Sequence, residues 1–235
     1  MSTWNQWEWS PEIDFQSRSG LVLKKFCEAI STSADYREIY INLFGSAPLE
    51  LGLHIALNSN DIDIEPDHFY IEIQKKVKEA HLGIGKSIPY IQVAHPGVFK
   101  AARSWVNRSE TRSIHGIQLR FAHPIDIIIG KLFRLETKDF EGIDRIIQEV
   151  GRPTRDDFLF YLNHHPDIFS FRHEMVKKFC DNLEVYSTYR SWELIPANQL
   201  FAHYLKITNQ IYSEGEKTSH RLQEAFGEDS IDQFS

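Results

Sequence analysis

Apolar residues recur at helical spacing over residues 20–30, where Leu21, Leu23, Phe26, Cys27 and Ile30 form one stripe. Residues 39–44, Ile-Tyr-Ile-Asn-Leu-Phe, are rich in branched and aromatic side chains and end at Gly45-Ser46, as a short buried strand does. A helix is expected over residues 48–57, then a turn at Asn58-Ser59-Asn60. Asp61-Ile62-Asp63-Ile64 alternates polar and apolar residues with the period of a half-buried strand. Asp67 is placed to cap a further helix carrying Phe69, Ile73, Val77 and Ala80 on one face, which Gly83 and Gly85 end. Strands are expected at 89–94 and 114–121, and helices at 124–135 and 139–150, before Gly151-Arg152-Pro153 breaks the chain. Beyond the break the spacing is helical throughout, with Phe171, Met175, Phe179, Leu183 and Tyr186 on one stripe and Leu200, Tyr204, Thr208 and Ile211 on another.

This order predicts an α/β chain: a mixed sheet flanked by helices, followed by a helical domain. The boundaries expected are an N-terminal arm at 1–16, the α/β domain at 17–150, the helical domain at 151–212, and a polar, flexible tail at 213–235.

Composition narrows the class. With 42% hydrophobic and 25% charged residues the chain has the make-up of an ordinary globular protein, and no run approaches the ~18 apolar residues of a membrane span. Its first residues lack the basic and apolar regions of a secretory signal, so the expected location is the cytoplasm. Two cysteines, Cys27 and Cys180, are too few for a disulfide framework and are expected to be buried thiols. His164-His165 and Asp167 lack any recognised metal-ligand spacing. The net charge of −7 is unevenly spread: residues 75–138 hold 12 Lys/Arg against 4 Asp/Glu, while both flanks are acidic. A basic block inside an acidic protein attracts phosphates, and Arg103, Arg108 and Arg112 are its candidate contacts to nucleic acid.

The candidate chemistry lies in Gly45-Ser46, fourteen residues, and then Asp61-Ile62-Asp63. Carboxylates two apart on a strand share a face, so both can hold one hard divalent cation, Mg²⁺ or Mn²⁺, and through it the oxygens of a triphosphate. A Gly-Ser turn opening a helix adds backbone N–H groups and a hydroxyl for the phosphate tail. The stretch FGSAPLELGLHIALNSNDIDI resembles the nucleotidyltransferase superfamily, with its Gly-Ser turn followed by a strand bearing Asp-x-Asp. A second block, HPIDIIIGKLFRLETKDFEGIDRII (123–147), is similar to the Lys-Leu-x-Arg and Lys-Asp motifs of AbiEii-like nucleotidyltransferases, some of them toxins partnered by protein antitoxins.

The resemblance implies a nucleotidyltransferase-type fold and a nucleoside triphosphate substrate. It further implies that Gly45 and Ser46 contact the triphosphate, Asp61 and Asp63 bind metal, and Lys131, helped by Arg134, neutralises phosphate charge. The gap between the two halves of the first motif is somewhat long. The third carboxylate that many members carry on a later strand is missing from residues 89–94, which leaves Asp139 as the candidate acid. Each residue also has a structural reading: Asp61 and Asp63 as the exposed face of an edge strand, Lys131 and Arg134 as a solvated helix face, and Asp139 as a helix N-cap that Asn could replace. The acceptor implied is an RNA end, a protein side chain or a small molecule. The competing functions are a catalytically degenerate nucleotide or nucleic-acid binding module and an antitoxin-partnered interaction protein.

Overall fold

The computed structural model describes residues 9–32, 36, 38–55, 59–86, 88–101, 103–150, 173–191, 198–202, 204–206 and 213. Five strands, β1 (Tyr40–Phe44), β2 (Asp61–Pro66), β3 (Tyr90–Val93), β4 (Glu110–Ile114) and β5 (Ile117–Phe121), form one mixed sheet in the order β3-β2-β1-β5-β4. β1 runs antiparallel to β2 and parallel to β5, β2 runs parallel to β3, and β4 and β5 form an antiparallel hairpin. Among the described residues the helices include α1 (Arg18–Ser31), α2 (Ala47–Leu53), α3 (Tyr70–Glu79), α4 (Pro124–Arg134), α5 (Thr137–Val150) and α6 (His173–Tyr189), and a 3₁₀ helix spans Arg103–Arg108.

The two faces of the sheet differ in chemistry because side chains alternate along each strand. One face carries Ile41, Leu43, Ile62, Ile64, Ile91 and Leu119, which pack with Leu23, Phe26 and Ile30 of α1 and Ile73 and Val77 of α3. The opposite face carries Tyr40, Asn42 and Phe44 on β1, Asp61, Asp63 and Glu65 on β2, and Tyr90 and Gln92 on β3. A second core lies between α4, α5 and α6, where Ile128, Leu132, Ile143, Phe179 and Tyr186 meet. Phe44, the last residue of β1, belongs to this second core, whereas Ala47 and Leu51 just beyond it belong to the first. Gly45-Ser46 therefore sits where the two cores meet.

Several local expectations are corrected. The helix expected over 48–57 stops at Leu53, because His54 takes a left-handed conformation (φ 58°) and returns its N–H to the Leu49 carbonyl. Asp67 is not the cap of α3. Phe69 occupies that position in a left-handed conformation, and Asp67 instead accepts the Tyr40 N–H at 3.2 Å, pinning β2 to β1. The single strand expected at 114–121 is the end of one strand and the whole of the next, split by His115 and Gly116, both at positive φ. Leu21 falls on the outer side of α1, half exposed. Residues 9–16 of the arm run along α2: the Ser10 and Asp14 amides bond the Gly52 and Leu51 carbonyls, and Trp9 lies so close to Gly52 that an added Cβ would sit 2.7 Å from its ring. Both cysteines are buried thiols. Of the two C-terminal stripes, Met175 to Tyr186 lie on α6, while Phe171, Thr208, Ile211, the His164-His165 pair and the tail beyond 213 lie outside the described residues. Among the described residues no helix is long and apolar enough to cross a membrane.

Candidate functional site

The register of β1 and β2 sets Asp63 directly opposite Phe44, next to the Gly45-Ser46 turn. Gly45 has a φ of +70°, and a Cβ there would lie 2.6 Å from Asp63 Oδ2, so the carboxylate occupies the space that a side chain at position 45 would need. Ser46 precedes α2, yet its hydroxyl makes no capping bond. In the first turn of α2 Pro48 has no N–H, and the Leu49 and Glu50 amides both donate to the Ser46 carbonyl at 3.2 Å.

Asp61 and Asp63 lie on the same half-buried face of β2. Burial, and then the neighbouring Asp61 charge, push the Asp63 carboxyl up from 3.8 to about 6, against the pull of Arg134, Lys131 and Lys138. The two acids are thus an anionic pair that repels itself, facing cations from another element. Ser59 Oγ donates to Asp61 Oδ1 at 3.1 Å and steadies it. Two carboxylates with free oxygens on one face fit a divalent cation that completes its coordination with substrate phosphates.

The cations come from the C-terminal half of α4. Lys131 is nearly buried, with its Nζ 3.6 Å from Asp139 Oδ1. Its stem lies over Gly142 of α5, where an added Cβ would come within 3.0 Å of Nζ. Burial holds the Lys131 ammonium below its ordinary range, although Asp139 pulls the other way. Arg134 grips Asp139 with two bonds, Nε to Oδ2 at 2.9 Å and Nη2 to Oδ1 at 2.6 Å, and remains half exposed.

Asp139 itself is fully buried and saturated. One oxygen takes Arg134 and Lys131; the other takes Arg134 and the Glu136 N–H at 2.9 Å. Burial tends to raise its carboxyl, but the Arg134 bonds, the Glu136 amide and Lys131 outweigh that and hold it below the ordinary range. It lies in the first turn of α5, and its bond back to the Glu136 amide is cap-like. Asp139, the candidate third acid, thus has both oxygens in contact with Lys131, Arg134 or the Glu136 amide.

Two arginines of the basic block, Arg108 and Arg112, make contacts within the fold. Arg108 forms a forked pair with the fully buried Asp126, Nη2 to Oδ1 at 2.7 Å and Nε to Oδ2 at 3.1 Å. Arg112 is largely buried, donates to the Ser10 carbonyl, and lies near Glu110 and over the Phe121 ring. Both arginines are largely buried in these contacts within the fold. Arg103 opens the 3₁₀ turn, its side chain lying outside the described set.

Sequence reasoning missed the neighbours on β3. Tyr90 pairs in register with Asp61 and Gln92 with Asp63, so both share the acidic face. Burial, followed by the charges of Asp61 and Asp63, raises the Tyr90 phenol. Glu65 continues the face of β2, but its carboxylate is engaged by the Gly97 N–H at 3.0 Å. Their signal was the strand period itself, which identifies the face but not its neighbours without knowledge of strand order.

A mixed sheet with a Gly-Ser turn at one strand end, Asp-x-Asp on the antiparallel neighbour and a cation helix facing them defines a nucleotidyltransferase-type α/β domain. Residues 21–150, more than half of the chain, match the family described as nucleotidyltransferase of unknown function (DUF6036), and the chain belongs to that family. No curated protein and no solved structure matched the chain.

Proposed function

We propose that this chain transfers the nucleoside monophosphate of an NTP to an acceptor hydroxyl or phosphate, with release of pyrophosphate, using Mg²⁺ or Mn²⁺ held by Asp61 and Asp63. The observation that carries the reading is the self-repelling carboxylate pair beside Gly45, faced by the cations Lys131 and Arg134. A triphosphate is the polyanion that such an arrangement accommodates, since Asp61 and Asp63 would hold a divalent cation that neutralises charge between acids and phosphates, and Lys131 and Arg134 would meet phosphate oxygens. When bound, the metal supplies charge neutralisation at the reacting phosphate and the departing pyrophosphate.

The side chains divide the remaining work. Gly45 lets the turn approach the phosphates closely, and Ser46 brings a hydroxyl that no cap consumes. Lys131, almost out of water, stabilises developing charge more strongly than a solvated lysine would. Arg134 spends one edge on Asp139 and keeps its exposed part for ligand oxygens. Asp139 aligns both cations and touches no substrate.

Nucleotide binding without transfer is the second reading, favoured by the neutral Gln92 beside Asp63. Incubation of radiolabelled NTP with total RNA and total protein, run beside an Asp61→Ala/Asp63→Ala variant, separates the two. Transfer expects metal-dependent label on one acceptor class, abolished in the variant. Label that is equal in the variant would refute the assignment, whereas metal-dependent binding without any label supports the second reading.

A further inference from the structure

The helix that carries the two cations ends in a strained turn, and the group that satisfies this turn comes from outside the span that matches the family. α4 stops at Arg134, and Leu135, a γ-branched residue, follows at φ 48° and ψ 58°, a left-handed conformation that only glycine adopts freely. A helix end leaves its last four carbonyls without intrahelical donors. Here the Lys131 carbonyl accepts the Leu135 N–H at 2.7 Å. The next two are reached by one side chain: Asn182 Nδ2 of α6 donates to the Leu132 carbonyl at 2.6 Å and lies 3.4 Å from that of Phe133. Leu132 and Phe133 are the residues between Lys131 and Arg134.

Further contacts seat α6 on the same elements. Phe179 packs its ring 4.9 Å from that of Phe133. One turn beyond Asn182, the Tyr186 hydroxyl donates to Asp144 Oδ1 of α5 at 2.8 Å, and Arg190 pairs with the same oxygen at 2.5 Å. Val176, Phe179, Cys180, Leu183 and Tyr186 are buried at helical spacing against the α4–α5 core. α6 thus grips both helices of the cation site, α4 with Lys131 and Arg134 and α5 with Asp139.

We infer that α6 is part of the nucleotide-binding machinery and that Asn182 is a positioning residue, whose amide fixes the carbonyl end of α4 so that Lys131 and Arg134 meet the polyphosphate. The inference rests on the reading of the site as a triphosphate site. Asn182 touches no ligand; it acts through the turn from Leu132 to Leu135. Removing its amide takes a donor away from the Leu132 and Phe133 carbonyls and lets the left-handed turn relax, which moves the roots of both cationic side chains together.

The test uses the full chain and two probes, Mg·ATP and inorganic tripolyphosphate with Mg²⁺, titrated calorimetrically. Asn182→Ala is expected to weaken both at least ~10-fold, the scale at which residues that orient a binding group act. Asn182→Gln, which keeps the amide, is expected to recover most of the loss. Val22→Ala, a buried change on α1 in the other core, should lower the Tm yet leave both affinities within about 2-fold. Amide hydrogen exchange should also quicken at residues 131–136 in Asn182→Ala and stay unchanged in the central strands. A wild-type chain that binds neither probe overturns the triphosphate reading and the inference with it. A wild-type chain that binds both, beside an Asn182→Ala variant that binds equally well, overturns the inference alone. Equal weakening by Val22→Ala does the same, because it would make the effect one of general stability.

Discussion

Replacing Asp63 by Asn is expected to stabilise the protein while destroying its metal-dependent nucleotide binding. The Asp63 carboxyl moves from 3.8 to about 6 in the fold, chiefly because it is buried and secondly because Asp61 is beside it. The sign follows directly: a folded-state value raised above the unfolded one means that stability is fully present below the unfolded value and is lost as pH rises through the folded one. At about 1.4 kcal/mol per pH unit the ionised side chain costs the fold ~3 kcal/mol at about pH 8, and partial exposure to solvent reduces this to ~2 kcal/mol. Asn imitates the protonated acid in shape and charge, so Asp63→Asn should recover that amount. For a chain of this size the gain is a rise of ~4–8 °C in Tm. Thermal and urea unfolding at about pH 8, 5 and 4 would follow it: the gap between variant and wild type should fall to about half at pH 5 and nearly vanish at pH 4. Millimolar Mg²⁺ should narrow the gap at pH 8 by stabilising the wild type alone. A variant no more stable than wild type at pH 8, or a gap that does not change with pH, would refute the reasoning.

Asp139→Asn should behave in the opposite way, losing ~3 kcal/mol or more, because it leaves the nearly buried Lys131 without its counter-charge; urea denaturation checks this, and a wild-type midpoint would restore the simple N-cap reading. Arg108→Ala should cost a similar ~3 kcal/mol by removing the forked counter-charge of the buried Asp126 carboxylate, and the double change Arg108→Met/Asp126→Leu should recover much of it in the same assay. His123 accepts the Ile125 N–H as the N-cap of α4, and burial depresses its imidazole from 6.5 to about 4. Its contribution, up to ~3 kcal/mol, is therefore present above about pH 6.5 and lost as pH falls towards 4. His123→Asn, which caps without gaining a proton, should flatten that acid limb in a pH series of melting temperatures.

Much of the fold was legible because it depends on period. The alternation in β2 and the helical stripes of α1, α4 and α6 follow from local side-chain order, and Gly45 marks its turn by its own conformational need. What escaped depends on partners distant in the chain. Nothing in a run of arginines distinguishes a phosphate contact from Arg108, whose counter-charge is Asp126, or from Arg112, folded under Ser10. Asp139 could be read as an acid on offer until Arg134 and Lys131 were seen to fill its oxygens. Gln92 and Tyr90 were invisible as site residues because β3 joins the sheet beside β2 only through a pairing that spans the whole of α3. His54 and Phe69, both non-glycine residues in left-handed turns, moved helix ends in directions that propensity does not encode.

The contact between position 45 and Asp63 makes those two residues a single unit of inheritance. As long as the acid keeps its place, any side chain at 45 meets its carboxylate at 2.6 Å, so mutation at the turn is constrained by the strand opposite and not by the turn alone. Once the acid is replaced by something smaller, steric pressure on the glycine falls, and only its positive φ still favours it. In a diverged descendant of this chain, a bulky residue at the turn would therefore mark a site that has given up its acid geometry, even where two carboxylates still stand in the strand.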